Sequence, residues 1–343
     1  MKHHLNTLFV TTQGAYLRKA GDTVVARVEK RDVLRVPFNN LGSIACFGRI
    51  GCSPFLFGAC GERGIGISFL TEQGRFLAAI NGYTPGNVLL RRAQYRIADD
   101  PQQASDIARS FIIGKLSNYR TILRRVGRES TDETTISEVS RIADRMDQSL
   151  QQLDRPCSLD QLRGMEGENS AAYFSVFNHQ ITAQKDDFEF RVRSRRPPMD
   201  PINALLSFLY ALLTQDARSA CEAAGLDAAV GFLHRDRPGR PGLALDLMEE
   251  LRPVLADRLA VSLVNRQQIR SAGFTKEPAG GFRMDDATRK VVISTYQKRK
   301  QQIIIHPFLN EKMTLGLVVH IQARLLARYL RGDLDSYPPF VWR

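Results

Sequence analysis

The chain has 343 residues, 43% of them hydrophobic and 24% charged, a globular composition with no tract biased enough to indicate disorder. That length exceeds the ~250–300 residues one hydrophobic core usually serves, so two domains are expected. No run reaches the ~18–20 apolar residues of a membrane span, which argues against a membrane-spanning helix. The formal net charge of +12 points to a polyanionic partner, nucleic acid before an anionic membrane surface.

Met1-Lys2-His3-His4 leads into a strand-like run without a signal cleavage site, so cytoplasm is the expected compartment. Residues 5–80 then carry short β-rich runs, among them Leu8-Phe9-Val10 and Ile65-Gly66-Ile67-Ser68-Phe69-Leu70, separated by Gly, Asn and Asp turn signals. Cys46, Cys52 and Cys60 fall in strand-like segments among Phe and Ile, where free cysteine behaves as a small core hydrophobe. The five cysteines lack CxxC spacing, so structural zinc is not expected. No GxGxxG precedes a clear helix and no phosphate loop is present.

Asn81-Gly82-Tyr83-Thr84-Pro85-Gly86 reads as a linker, after which the periodicity turns helical almost to the end. The expected fold class is α+β: a small N-terminal β-rich domain over residues 1–84, a linker at 85–90, and a larger all-α domain over 91–343. Asp100-Pro101 and Asp200-Pro201 each combine an N-cap Asp with Pro at the first helical position. Another helix is expected over 134–153. Ser158-Leu159-Asp160-Gln161 has capping-box spacing and opens a helix carrying Glu166 about two turns in. Tyr337-Pro338-Pro339-Phe340 reads as an extended tail.

In Gly164-Met165-Glu166-Gly167-Glu168 two glycines flank a carboxylate inside a helix, at about 1 kcal/mol each relative to Ala. They allow a backbone or a phosphate to come close, or they mark an exposed acidic turn. His234 opens a basic loop, Arg235-Asp236-Arg237-Pro238-Gly239-Arg240-Pro241-Gly242, which runs into Leu243-Ala244-Leu245-Asp246-Leu247-Met248-Glu249. Asp246 and Glu249, three apart, share one helix face. Asp246 sits in an apolar run, where a divalent cation would supply the partner a buried carboxylate needs. Singly, each acid also reads as a dipole-favoured N-terminal carboxylate and His234 as a surface residue. Together, carboxylates and one imidazole suit Mg²⁺ or Mn²⁺, and the arginines suit a phosphodiester.

Asn203, Ser207 and Tyr210 form a polar stripe on a Leu-rich helix, either a buried network or an outer layer that orients ligands. Three basic clusters suggest phosphate contacts: Arg191, Arg193, Arg195 and Arg196; Arg289 and Lys290; and Lys298, Arg299 and Lys300. His179, His306 and His320 lack a comparable setting and read as structural or surface residues.

These residues resemble a known family. Gly164-Met165-Glu166-Gly167, the stretch from Arg195-Arg196-Pro197-Pro198 through Asn203, Ser207 and Tyr210, and His234 followed by Asp246-Leu247-Met248-Glu249 and Arg252-Pro253 are similar to the CRISPR-associated protein one family, the spacer-acquisition integrases, and in character to subtype I-C members. The resemblance covers nearly the whole chain and implies metal ligands Glu166, His234 and Glu249, with Asp246 an additional acidic catalytic residue. It also implies Mg²⁺ or Mn²⁺ as cofactor and phosphate contacts from Arg195, Arg196, Arg235, Arg237, Arg240, Lys298, Arg299 and Lys300. The reaction it implies is transesterification that inserts short DNA duplexes into a CRISPR repeat, by a homodimer bridged by CRISPR-associated protein two. Two other readings stay open: a structure-selective repair nuclease on branched DNA, and a non-enzymatic DNA-binding scaffold.

Overall fold

The computed structural model describes residues 6–342 apart from 73, 75, 81, 83–87 and 279. Met1 to His4 lie outside the described residues, as does the expected linker over residues 85–87; residues 88–90 already belong to a helix. The chain divides into two compact units, Met1–Gly86 and Asn87–Arg343.

The first unit holds eight described strands, β1 Asn6–Val10, β2 Tyr16–Ala20, β3 Thr23–Val28, β4 Arg31–Pro37, β5 Leu41–Phe47, β6 Gly51–Cys52, β7 Gly66–Leu70 and β8 Phe76–Ile80. They form two four-stranded sheets, ordered β1-β5-β7-β8 and β4-β3-β2-β6. One helix interrupts them: Ser53 caps α1, Pro54–Glu62, by accepting a hydrogen bond from the Leu56 amide, with Pro54 at the first helical position. Leu17, Val24, Ile44, Leu56 and Ile67 meet in one core. Cys60 therefore lies on a helix rather than a strand; it and Cys46 are buried and free, as expected of small hydrophobes.

The second unit is mainly helical: α2 Val88–Asp99, α3 Pro101–Glu129, α4 Glu133–Gln152, α5 Leu159–Ser175, α6 Pro201–Ala223, α7 Gly242–Glu249, α8 Arg258–Asn265, α9 Asp286–Lys300 and α10 Leu315–Leu330. It is not purely α. Two short hairpins interrupt it, β9 Phe274–Lys276 with β10 Phe282–Met284, and β11 Ile303–Ile305 with β12 Lys312–Thr314. Local chemistry sets the helix starts. Asp100 accepts the amides of Gln102 and Gln103 at 2.9 and 3.1 Å, Asp200 accepts that of Asn203 at 2.7 Å, and the Ser158–Gln161 capping box is complete. Among the described residues no helix is long and apolar enough to cross a membrane.

α7 stops at Glu249 because Pro253, without an amide hydrogen, breaks the regular ladder; residues Arg252–Asp257 continue as a π-helix. Residues 337–342 are non-helical, as expected of a tail, yet Tyr337 and Phe340 are buried.

Candidate active site

Glu166 lies midway along α5. A Cβ added at Gly164 or Gly167 would meet nothing within 4 Å, so packing does not demand these glycines. They leave the helix surface beside Glu166 unobstructed.

His234 and Asp246 are joined by a loop held closed through that aspartate. Asp246 Oδ2 accepts the amides of Phe232 and Leu233 at 2.6 and 3.0 Å, and Oδ1 accepts the His234 amide at 3.0 Å. His234 Nδ1 lies 2.6 Å from Asp246 Oδ1. A carboxylate only accepts, so Nδ1 donates, and Nε2 is held 3.9 Å from Glu249 Oε1. The backbones must touch for this: a Cβ on Gly242 would lie 2.6 Å from Ala229 O, and one on Gly231 2.7 Å from Asp246 Oδ2. The partner expected for the buried Asp246 was a cation; the structure corrects this. Backbone amides and the imidazole satisfy it, and it positions His234.

Glu249 is buried, with Arg252 Nη2 2.7 Å from Oε1. Its Oε2 lies 2.7 Å from Lys115 Nζ, yet no hydrogen bond of adequate geometry reaches that oxygen among the described residues. Lys115, fully buried on α3, also pairs with Glu166 Oε1, which accepts from Ser170 Oγ at 2.8 Å. One ammonium thus bridges two carboxylates on different helices. Burial alone would raise Glu249; the charges of Arg252, Lys115 and His234 overcome it and bring the carboxyl down to about 2. Glu166 is also lowered: burial is the largest single effect and raises it, as does the Glu249 charge, but the Lys115 charge and the hydrogen bonds from Lys115 and Ser170 together outweigh them.

Neither Lys115 nor Arg252 was singled out for a role from the sequence, although a lysine inside the apolar run Phe111-Ile112-Ile113-Gly114-Lys115-Leu116 was a visible signal. Glu250 was also missed. It is buried on the opposite side, and burial pushes its carboxyl up to about 7 against hydrogen bonds from Tyr337, Phe340 and Gln322.

The polar stripe of α6 divides. Asn203 Oδ1 accepts from Arg193 Nη1 at 2.7 Å and from the Ser194 amide at 3.0 Å, and Ser207 Oγ accepts from Arg193 Nη2 at 3.2 Å. These two secure the segment before α6. Tyr210 reaches the centre: its hydroxyl donates to Asp257 Oδ1 at 2.6 Å, and the guanidinium that holds Glu249, that of Arg252, lies 4.6 Å from its ring centroid.

Arg195, Arg196, Arg235 and Arg237 are exposed and Arg240 half-buried. Arg240 is lowered by burial first and then by the Arg237 and Arg195 charges, while Asp246 and Glu249 raise it; the loop arginines and Arg195 thus share one field with the acidic centre. Arg235 also pairs with Asp160 at 2.9 Å. The cluster on α9 departs from expectation. Lys298 is exposed, but Arg299 is half-buried and donates to Val254 O at 3.3 Å. Lys300 is buried against Asp216 at 2.7 Å, so its charge serves the core and not a phosphate track. Arg289 is buried as well, paired with Asp286. His179 bonds Glu138 and Thr135, and His306 bonds Gln322.

Among the described residues no three His, Cys, Asp or Glu side chains are gathered as a ligand cluster; Lys115 stands between the two glutamates. The donor set nevertheless fits a divalent cation: the Glu166 and Glu249 carboxylates share a single positive charge at Lys115, and the Asp246-held imidazole presents Nε2 3.9 Å from Glu249 Oε1.

Buried carboxylates, an oriented imidazole and an arginine rim define a site suited to phosphodiester chemistry. A sequence model of the family "CRISPR associated protein Cas1" matches residues 8–298. The chain is 52% identical over 347 residues to "CRISPR-associated endonuclease Cas1 2" of Rhodospirillum rubrum and 51% identical over 343 residues to "CRISPR-associated endonuclease Cas1 1" of Chlorobaculum tepidum, each covering 100% of both chains. A solved casposase bound to integration product shares the fold, with TM-score 0.83 and 20% identity over 99% of this chain and 95% of that one. The chain belongs to the Cas1 family.

Proposed function

We propose that the chain is a divalent-cation-dependent DNA endonuclease and integrase that inserts spacers into a CRISPR array, of the subtype I-C kind it resembles in overall character, and that it works in the cytoplasm. The observation that carries this reading is that one buried ammonium, Lys115 Nζ, pairs with both Glu166 and Glu249, while Nε2 of the Asp246-held His234 stands 3.9 Å from Glu249 Oε1. Membership of a family whose relatives are named endonucleases supports it.

Glu166, His234 and Glu249 would hold Mg²⁺ or Mn²⁺, which when bound supplies polarisation of the phosphoryl oxygen and eases loss of the attacking proton. The chain's residues do the rest. Asp246 fixes the imidazole and Arg252 fixes Glu249. Arg195, Arg196, Arg237 and Arg240 neutralise phosphates at the rim. The glycine face of α5 leaves room for a DNA backbone beside Glu166. In the reaction a strand's 3′-hydroxyl oxygen bonds to phosphorus as the bond to the displaced 3′ oxygen breaks. One proton leaves the attacker, one reaches the leaving oxygen, and one phosphodiester replaces another without external energy.

The working assembly in this reading is a homodimer, with the β-rich unit providing its dimer and partner surface and CRISPR-associated protein two bridging dimers on DNA. Titration with Mn²⁺ followed by electron paramagnetic resonance tests the cation site. Binding that falls at least about tenfold in both Glu166→Ala and His234→Ala supports it; binding unaffected by either removes these ligands from the account.

A further inference from the structure

The C-terminal segment closes on the inner side of the same centre. Tyr337 Oη donates to Glu250 Oε1, the Phe340 amide donates to Glu250 Oε2 at 2.5 Å, and Gln322 Nε2 lies 3.2 and 3.3 Å from the two oxygens. Gln322 is held in turn by His306, whose Nε2 is 3.0 Å from its Oε1. Across the tail, Asn118 Nδ2 donates to the carbonyls of Glu250 and Phe340 at 2.6 and 2.9 Å, and Asn118 Oδ1 accepts the Trp342 amide at 2.6 Å. The three strands of chain meet at Gly114, where an added Cβ would lie 2.9 Å from Glu250 Cβ and 3.1 Å from Pro339 Cβ.

Each anchor adjoins the acidic centre. Glu250 follows Glu249, Gly114 precedes Lys115, and Asn118 is one helical turn beyond Lys115 on α3. The tail thus grips, from behind, both elements that present the Lys115–Glu249 pair. We propose that residues 337–342 are a positioning strap for the active site, with Tyr337 its principal positioning residue. A tail bound only for stability would need no buried carboxylate next to a ligand: apolar Tyr337 and Phe340 rings would suffice. Here the tail supplies the donors that set the direction of Glu250, and the 249–250 peptide carries that setting to Glu249.

The inference rests on the proposed cation-dependent reaction, and two measurements separate their failures. The first is hydrogen–deuterium exchange over residues 242–251 in the cation-free protein, which needs no metal. The second is Mn²⁺ affinity together with kcat and KM for strand transfer. Tyr337→Phe removes one hydroxyl. Pro339→Gly leaves every hydrogen bond donor in place and loosens the tail, and serves should the first variant not fold. Phe188→Leu, in an aromatic cluster with Phe274, is a control for lost stability alone.

Expected in the strap variants are faster exchange over 242–251, Mn²⁺ affinity weakened about tenfold and kcat reduced with KM for DNA unchanged, none of which Phe188→Leu reproduces at a matched drop in Tm. Exchange, Mn²⁺ affinity and kcat that track Tm identically in all three variants would overturn the strap. A wild-type chain that binds no Mn²⁺ would overturn the cation reading instead, and the exchange measurement would then decide the strap by itself.

Discussion

His234 Nδ1 lies 2.6 Å from Asp246 Oδ1, and the same carboxylate takes the amides of residues 232, 233 and 234. One side chain thereby closes the loop and orients the imidazole. Asp246→Asn places an amide group among donors. It is expected to cost about 1–3 kcal/mol, because a buried donor is left unpaired, and to weaken cation affinity about 10- to 100-fold through the misoriented imidazole. Chemical denaturation and Mn²⁺ titration check the two effects; a variant with full cation affinity would show that His234 is not oriented through Asp246.

Lys115 is the counter-ion of two glutamates and is itself fully buried. Lys115→Met leaves the carboxylates facing each other, and a destabilisation of about 3–5 kcal/mol is expected for a broken buried pair. The cation-free Tm falls, and Mn²⁺ raises it by more than in the unaltered protein, because a second positive charge then replaces the lost one. Equal Mn²⁺ shifts in both proteins would contradict this.

Two buried carboxyls respond to pH with opposite signs. Glu249 sits at about 2 when folded against 4.5 in the open chain. Its contribution, on the order of 3 kcal/mol, is present above pH 4.5 and lost as pH falls through about 2. Asp257 is pushed up to about 6 by burial, against 3.8. Its contribution is present below pH 3.8 and lost as pH rises through about 6. Urea unfolding should therefore show Glu249→Gln flattening the acid limb below pH 4.5, and Asp257→Asn gaining relative to the unaltered chain between pH 4 and pH 8. The reverse slopes would contradict the assigned burial.

The rim arginines should govern affinity rather than the chemical step. Arg237→Ala and Arg240→Ala are each expected to reduce the slope of log binding constant against log salt by about 1. Lys300→Ala, which removes a core ion pair with Asp216, is expected to lower Tm and leave that slope alone. Filter binding across salt concentrations distinguishes them.

Much of this was legible because its causes are local. Asp100-Pro101, Asp200-Pro201 and Ser158–Gln161 set helix starts through bonds that span two or three residues. His234, Asp246 and Glu249 were legible as a group because loop and helix are contiguous. Lys115 was not, since its partners lie on α5 and α7, and sequence spacing carries no trace of that meeting. Glu249 and Glu250 look alike in sequence, yet one faces Lys115 and the other Tyr337; a helix phase alone does not say which face a partner will cover. Lys298-Arg299-Lys300 read as one basic patch until burial separated Lys300 from Lys298.

Joining of DNA strands at this centre would leave a product that can be read directly. The most direct measurement is strand transfer by the purified full chain on a labelled branched DNA that mimics a half-integrated spacer, run with Mn²⁺, Mg²⁺ or EDTA beside Glu166→Ala and His234→Ala. The expected result is a joined product that needs the divalent cation and disappears in both variants while DNA binding persists. Cleavage without joining would indicate a branched-DNA repair nuclease, and binding with neither cleavage nor joining in any cation would contradict catalysis and leave a scaffold.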